Sequence, residues 1–381
     1  MVTTPRYGGD SLSDLLPSVL GALGVPGESD TVGLGLSGVR RVCVLLVDGL
    51  GARQLAAHAS AAPTLSSLTE RVVTATFPST TATSLASLGT GRTPGEHGIV
   101  GYLTAVPGFD RPMNPLHWRL HGQGPRVDLL AELVPEQFQP RDTVFERAAA
   151  DGVSVTRIAP SYQRESGLTR AVLRGGDFSA SVSAGDLVAE TSRALRRGRR
   201  SLVYSYWSEL DLTGHVRGPD SDAWRHELTQ VDTIVAGILG ELPSDAALIV
   251  TADHGMVQIG TRVDIDATPA LTADVRMICG EPRARHVFAD AGAAATVLDA
   301  WRETLGPDHL VVGRDDAVSR GWFGPSVRPD VAACIGDVLA LALGDGALIR
   351  RGAEPNQSAL PGHHGSLTDV EMTVPLLVAR G

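Results

Sequence analysis

Ala246-Ala247-Leu248-Ile249-Val250 is apolar without a break and stops at Thr251-Ala252-Asp253-His254. A short run with no polar position makes a strand covered on both faces, and such a strand needs helices above and below its sheet. Val42 to Val47 is a second run of this kind, closing in Asp48-Gly49. Between them come a strand at Val153 to Ile158, a helix over 184–197, a strand at Leu202 to Tyr206 and a helix over 222–240. The fold class this alternation sets is α/β, with a mostly parallel central sheet flanked by helices.

Helices are also expected over 11–24, 51–58 and 143–150, and a strand from Arg71 to Thr76. Pro78 suits a first helical turn and opens a Thr/Ser/Ala-rich helix to Leu88. Residues 102–140 carry six prolines and Trp118 and read as an irregular cover segment. From 258 to 362 the alternation stops. Short β-like pieces at Ala284 to Phe288, Leu310 to Val312 and Val331 to Ile335 surround a helix over 291–304. The expected division is a core of 1–257 plus 363–381, closed by a last strand at Val374 to Val378, with 258–362 inserted as a small lid.

The formal net charge is −10 and no basic tract occurs, which argues against binding to a nucleic-acid backbone. Bound metal ions would offset the mild repulsion this charge sets up toward anionic substrates. All 33 basic residues are arginine, so lysine Schiff-base, P-loop-lysine and lysine general-base chemistry are excluded. Cys43, Cys279 and Cys334 are far apart in apolar surroundings and read as buried thiols in a reducing compartment. The N-terminus lacks a basic-then-apolar leader, and no run of about 18 apolar residues occurs. The expectation is a cytoplasmic protein with no membrane partner.

Functional side chains of a parallel sheet gather at the carboxyl ends of its strands. Asp48, Thr76, the segment near Asp211, and Asp253-His254 all fall at such ends. Singly each is weak. An Asp-Gly after a strand is usually a turn, Gly214 and Pro219 make a loop of the Asp211–His215 segment, and His363-His364 alone would be solvated loop histidines. Together they supply oxygen and nitrogen donors for two metals. Mixed Asp and His ligation suits zinc or another borderline divalent ion better than calcium or magnesium.

In order along the chain stand Leu46-Val47-Asp48-Gly49, Thr76-Phe77-Pro78-Ser79, Gly95-Glu96-His97-Gly98-Ile99, Asp211-Leu212-Thr213-Gly214-His215, Asp253-His254-Gly255-Met256 and His364-Gly365. This set resembles the alkaline phosphatase superfamily, and most closely its type I phosphodiesterase/nucleotide pyrophosphatase branch. The resemblance implies one zinc site built from Asp211, His215 and His364. It implies a second from Asp48, Asp253 and His254, with the Thr76 oxygen as a further ligand. His363 does not align and is expected behind the ligands or toward solvent. Coordination would activate the Thr76 hydroxyl, and attack would give a phospho-Thr76 intermediate that water then hydrolyses, with net retention at phosphorus. Ser79, Thr80, Thr81, Thr83 and Ser84 lie close by and read as helix capping and small-residue packing. The sulfatase branch is excluded because no modifiable Cys or Ser with its nearby Arg stands here. A mutase of the superfamily would need a lysine this chain lacks.

The expected activity is metal-dependent hydrolysis of a small phosphoester, a nucleotide among the candidates. A phosphomonoesterase or phosphonate hydrolase with the same metals is the alternative, and an inactive binding protein of the same fold is the non-enzyme alternative. Substrate contacts are expected from Phe77, Tyr102 and Arg217. Tyr102 takes the place where the branch commonly has asparagine, and its phenol can also donate.

Overall fold

A computed structural model describes residues 2–381. In chain order the main elements are α1 (Leu12–Ala22), β1 (Arg41–Val47), β2 (Thr69–Thr74), α2 (Thr81–Thr90), β3 (Ser154–Ala159), β4 (Asp177–Ala180), α3 (Ala184–Leu195), β5 (Ser201–Trp207), α4 (Glu209–Arg217), α5 (Asp222–Gly240) and β6 (Ala246–Thr251). These seven-stranded-sheet elements are completed by the last strand, Thr373–Arg380, and the strand order is β2, Thr373–Arg380, β6, β1, β5, β3, β4. β1 is parallel to both β5 and β6, whereas Thr373–Arg380 runs antiparallel to both β2 and β6.

The apolar runs explain the centre of this sheet. Val42 through Val47 are fully buried, as are Ala247 through Val250. Burying each Val or Leu is worth roughly 1.5–3 kcal/mol, so the middle strands anchor the molecule and their carboxyl ends are held firmly.

Residues 275–342 form a separate four-stranded antiparallel sheet in the order Val275–Glu281, Ala284–Ala289, Val338–Ala342, His309–Gly313, with helix Ala294–Leu305 packed on it. The strand expected at Val331 to Ile335 is not there. Pro329 opens a helical turn at Pro329–Ala332, and the strand is the uniformly buried Val338–Ala342. No helix among the described residues is long and apolar enough to cross a membrane.

Three further local departures bear on the site. β2 ends at Thr74, two residues before Thr76. The helix expected from Pro78 begins at Thr81, because the Ser79 N–H donates to Gly365 O at 3.2 Å and Thr80 is extended. The Asp211–His215 segment, expected as a loop, is helix α4, which ends at Gly218. Gly214 does not break it. It lets the helix pack on Met256, whose sulfur lies 2.6 Å from where a Cβ would stand.

Candidate active site

Register assembles the first group of side chains. Leu46 pairs with Thr251 across β1 and β6, so continuing both strands two residues sets Asp48 beside Asp253. The N–H groups of Gly49 and His254 donate to Asp253 Oδ1 at 3.0 and 3.1 Å. Leu46 also pairs with Tyr206 of β5, so Tyr206 points to the same face as Asp48, and its hydroxyl donates to Asp48 Oδ2. The remaining oxygens, Asp48 Oδ1 and Asp253 Oδ2, each stand 3.4 Å from His254 Nε2.

The second group comes from α4 and the segment before the last strand. Asp211 and His215 are one helical turn apart and share a face. Asp211 lies against Gly49, where a Cβ would come 3.0 Å from the Asp211 backbone and where φ is +76°. That turn therefore favours glycine. Asp211 Oδ2 is 3.5 Å from His215 Nε2, and Oδ1 is 3.9 Å from His364 Nε2.

The histidine tautomers follow from their partners. Nδ1 of His215 lies 2.8 Å from Gly362 O, Nδ1 of His254 3.0 Å from Gly255 O, and Nδ1 of His364 2.8 Å from Ser79 O. A carbonyl only accepts, so each Nδ1 carries the proton and each Nε2 presents a lone pair. His215 Nε2 and His364 Nε2 then face each other at 3.2 Å with no proton between them. Such an arrangement is satisfied by a cation. Carbonyl-pinned imidazoles are also the usual outer support of metal-binding histidines.

Electrostatics point the same way. Burial pushes the Asp211 and Asp253 carboxyls up to about 7. Burial, and then the neighbouring Asp253, drive Asp48 well above its usual range. Burial pushes His254 down to about 4 and His364 well below its ordinary value. Among the described residues no arginine makes a salt bridge to these three carboxylates, and Asp211 Oδ1 and Asp253 Oδ2 have no hydrogen-bond partner. Three carboxylates facing three neutral imidazoles, with orphaned oxygens, form a donor set that fits divalent cations. The donor atoms of Asp48, Asp253 and His254 lie within 4.8 Å of one another, as do those of Asp211, His215 and His364.

The hydroxyl in this cluster is that of Thr81. Its Oγ1 is 3.2 Å from His254 Nε2 and 3.5 Å from Asp48 Oδ1, at the first turn of α2. Thr76 is fully buried and its hydroxyl has no hydrogen-bond partner, so it contacts none of the six ligand side chains by hydrogen bond. The expectation that set Thr76 at the metals rested on its place at a strand end and on the Thr76-Phe77-Pro78 match of the resemblance. The extended Ser79-Thr80 stretch carries the chain onward and delivers the hydroxyl five residues later. A polar residue opening a helix that faces the strand ends was the available signal.

Two expected substrate contacts are also corrected. Phe77 is fully buried with its ring 5.2 Å from Trp322 and 5.3 Å from Phe323, which leaves no face for a ligand. Arg217 is exposed and follows His215 by two helical positions, about 200° around α4, so it points away from the site. Tyr102 is half-buried, and its backbone N–H donates to Glu281 Oε2 at 2.9 Å. His363 is buried, not solvent-facing, and its Nε2 lies 3.0 Å from Gln357 O. His97 is a fully buried strut between Ser87 Oγ and the Ile99 N–H.

Residues 42–367 match the sequence family described as type I phosphodiesterase / nucleotide pyrophosphatase. The bis(5'-adenosyl)-triphosphatase of Mus musculus is 29% identical over 101 residues, 24% of this chain and 22% of that protein. The chain spans less than a third of the length of the curated relatives it matches. Among solved structures, an inactive threonine-to-alanine variant of murine ectonucleotide pyrophosphatase / phosphodiesterase 5 in complex with AMP has a TM-score of 0.68 at 19% identity, covering 88% of this chain and 87% of that one. Phosphonoacetate hydrolase from Sinorhizobium meliloti 1021 in complex with phosphonoacetate has a TM-score of 0.66 at 18% identity, covering 90% of each chain.

Proposed function

The chain belongs to the type I phosphodiesterase / nucleotide pyrophosphatase family, and from that premise we propose that it is a metal-dependent hydrolase of phosphodiesters or phosphoanhydrides with Thr81 as nucleophile. The observation that carries this reading is the convergence of three histidines with carbonyl-pinned Nδ1 and three buried carboxylates around the Thr81 hydroxyl.

The six side chains would hold two divalent ions, zinc by the mix of imidazole and carboxylate donors. When bound, the ions would supply positive charge to the reacting phosphoryl group and favour the ionised hydroxyl. Tyr206 holds Asp48 in place through its hydrogen bond, and the backbone N–H groups of Gly49 and His254 do the same for Asp253. Thr81 stands where its oxygen can attack, 3.2 Å from His254 Nε2 and 3.5 Å from Asp48 Oδ1, beside the donors that would hold a cation, and its proton would leave to solvent as the hydroxyl ionises. Attack forms the Thr81 Oγ1–phosphorus bond as the leaving oxygen departs. Water then cleaves the phosphothreonine and restores the hydroxyl. Two in-line displacements predict retention at phosphorus.

The inactive variant of the murine enzyme replaces a threonine by alanine, which supports a threonine nucleophile as a class. The fold likeness to phosphonoacetate hydrolase keeps phosphonate or monoester hydrolysis as a second reading of the same site. The test is elemental analysis together with turnover of bis-p-nitrophenyl phosphate and p-nitrophenyl phosphate. We expect two metal equivalents, a preference for the diester, and loss of turnover on chelation with recovery on adding zinc. Full activity in protein verified to be metal-free would end the reading, and strong preference for the monoester would transfer it to the alternative.

A further inference from the structure

Helix α4 carries two of the ligand side chains and, beside them, an apolar ridge. Successive residues of an α-helix are turned by about 100°. With Asp211 at zero, His215 lies at about 40°, Leu212 at about 100° and Val216 at about 140°. Gly214 and Leu210, at about 300° and about 260°, fall on the other flank of the ligand face. That flank is packed: Leu210 is fully buried, and Gly214 meets Met256. The ridge is open, with Leu212 54% exposed and Val216 46%. The ligand face stands at the border of the two sectors, and the side chains of Asp211 and His215 keep 15% and 21% of their exposure. A molecule that reaches them from solvent therefore passes over Leu212 and Val216.

Single exposed apolar residues need no explanation, but this pair sits one turn apart with each member next to a ligand residue, and it gives the mouth of the site an apolar lip. Apolar exposure continues along the same edge of the sheet. Tyr162 and Val182 are exposed and follow the carboxyl ends of β3 and β4, the strands next in order after β5. The Ser181 N–H donates to Ala159 O at 3.1 Å, which holds those two ends together.

No cation offsets this lip on α4. Arg217 is the one arginine of the helix and lies at about 240°, on the far side. The charged residue within the open sector is Glu209, at about 160°, whose Oε1 accepts from Ser208 Oγ at 3.1 Å. Two apolar side chains and a carboxylate accept an uncharged organic group and disfavour a second anionic one.

The direction of attack decides which part of the substrate lies here. Thr81 Oγ1 stands with His254 and Asp48, in the ligand group that α4 does not supply. In an in-line displacement the leaving oxygen departs on the side opposite the attacking one. Across the stacked rings of His254 and His364, away from Thr81, stands the group of Asp211, His215 and His364.

We propose that the leaving group of the substrate is an uncharged apolar alcohol or phenol, and that Leu212 and Val216 select it. This rests on the reading of Thr81 and the six ligand side chains as the reaction centre, and it narrows the substrate from phosphodiesters or phosphoanhydrides to phosphodiesters. The bond from Thr81 Oγ1 to phosphorus forms, the bond from phosphorus to the leaving oxygen breaks, and the alcohol departs with a proton drawn from water.

Two measurements test it. Metal-loaded protein is assayed on methyl 4-nitrophenyl phosphate and on methyl 4-nitro-1-naphthyl phosphate, which differ only in the apolar size of the leaving group. Their intrinsic reactivities cancel when the ratio of kcat/KM is compared between proteins. The naphthyl preference of the wild type should fall about fivefold or more in Leu212→Gln/Val216→Gln, the scale of one or two buried methylene groups, and Leu212→Met/Val216→Ile should retain it. In the second arm the two esters are titrated calorimetrically into metal-loaded Thr81→Ala protein with and without the two glutamine substitutions. The naphthyl ester should bind more tightly only where Leu212 and Val216 are present. An unchanged preference in the glutamine variant, or equal affinities for the two esters in the Thr81→Ala protein, overturns the proposal. A wild-type dimer that the glutamine variant dissociates would assign the ridge to contact between copies and overturn it as well. Failure of the loaded wild type to cleave either ester would instead sink the reading of the reaction centre, and the titration still decides the ridge.

Discussion

The imidazole rings of His254 and His364 are stacked, with centroids 3.5 Å apart and planes 13° from parallel. Each ring belongs to a different group of three ligand side chains, so the stack sets the spacing between the groups. Gly255 O holds one Nδ1 and Ser79 O the other, which keeps the two Nε2 atoms side by side. Burial lowers the proton affinity of both rings, and the neighbouring His254 lowers that of His364 further.

His364→Phe tests the stack against the ligand role. The phenyl ring can keep the packing but offers no Nε2. We expect a folded protein with one metal equivalent lost and kcat/KM reduced at least about 100-fold, since even residues that only support metal ligands are worth 10–100-fold. Metal content by elemental analysis decides it, and two tightly held equivalents in this variant would exclude His364 as a ligand.

Thr81→Ala should abolish turnover of bis-p-nitrophenyl phosphate by roughly three orders of magnitude or more, the scale seen when a nucleophile is deleted. Thr76→Val should leave kcat/KM within about threefold. It should leave stability unchanged or raised by about 1 kcal/mol, because a buried hydroxyl with no partner is replaced by a methyl group. The reverse pattern, an inactive Thr76 variant and an active Thr81 variant, would restore Thr76 as nucleophile.

These two threonines mark where the sequence can and cannot be read. Asp48 and Asp253-His254 were legible because each closes an uninterrupted apolar run, and a strand buried on both faces can end its run only at an edge. Their grouping depends on the register of β1 and β6, which no local pattern states. Thr76 and Thr81 differ only in how far the chain runs extended before α2, and that is set by Gly365, nearly three hundred positions away. Asp211 and His215 had helical spacing, but Gly214 and Pro219 masked it. The contact with Met256 that makes the glycine useful is long-range. Tyr206 looked like any aromatic in a buried strand until the pairing with Leu46 turned it toward Asp48.

Tyr206→Phe removes the hydroxyl that donates to Asp48 Oδ2 and nothing else of the ring. Metal affinity should fall about 10–100-fold, the usual effect of losing a hydrogen bond to a ligand. Melting temperature of the metal-free protein should change little. Competition with a chromophoric chelator measures the affinity, and an unchanged value would deny Tyr206 a supporting role.

Arg283 and Glu371 form a bidentate pair in which neither side chain is exposed. Glu371 also accepts from the Ser366 N–H, close to His364. Arg283→Met leaves that carboxylate buried without its partner. We expect a loss of about 3–5 kcal/mol in denaturant unfolding. Arg283→Met/Glu371→Gln should recover part of it. A single variant as stable as the wild type would show that the pair does not tie the inserted sheet to the core.

Proton release on metal binding follows from the carboxyls of Asp211 and Asp253, raised to about 7 by burial. In the metal-free fold both are largely protonated below that pH, and a bound cation requires them ionised. Binding therefore expels protons below pH 7 and few above it, and affinity weakens as pH falls through that value. The same shift acts oppositely on the metal-free protein. A carboxyl with a raised folded pKa contributes stability that is fully present below its unfolded value and lost as pH rises through about 7. The rise in melting temperature on adding zinc should thus be largest at about pH 8 and shrink toward about pH 6, with more protons released per chain at the lower pH. A pH-indicator titration in weak buffer reads the protons directly. A metal-induced stabilisation that grows as pH falls from 8 to 6 would contradict the assignment of these two carboxylates to the cations.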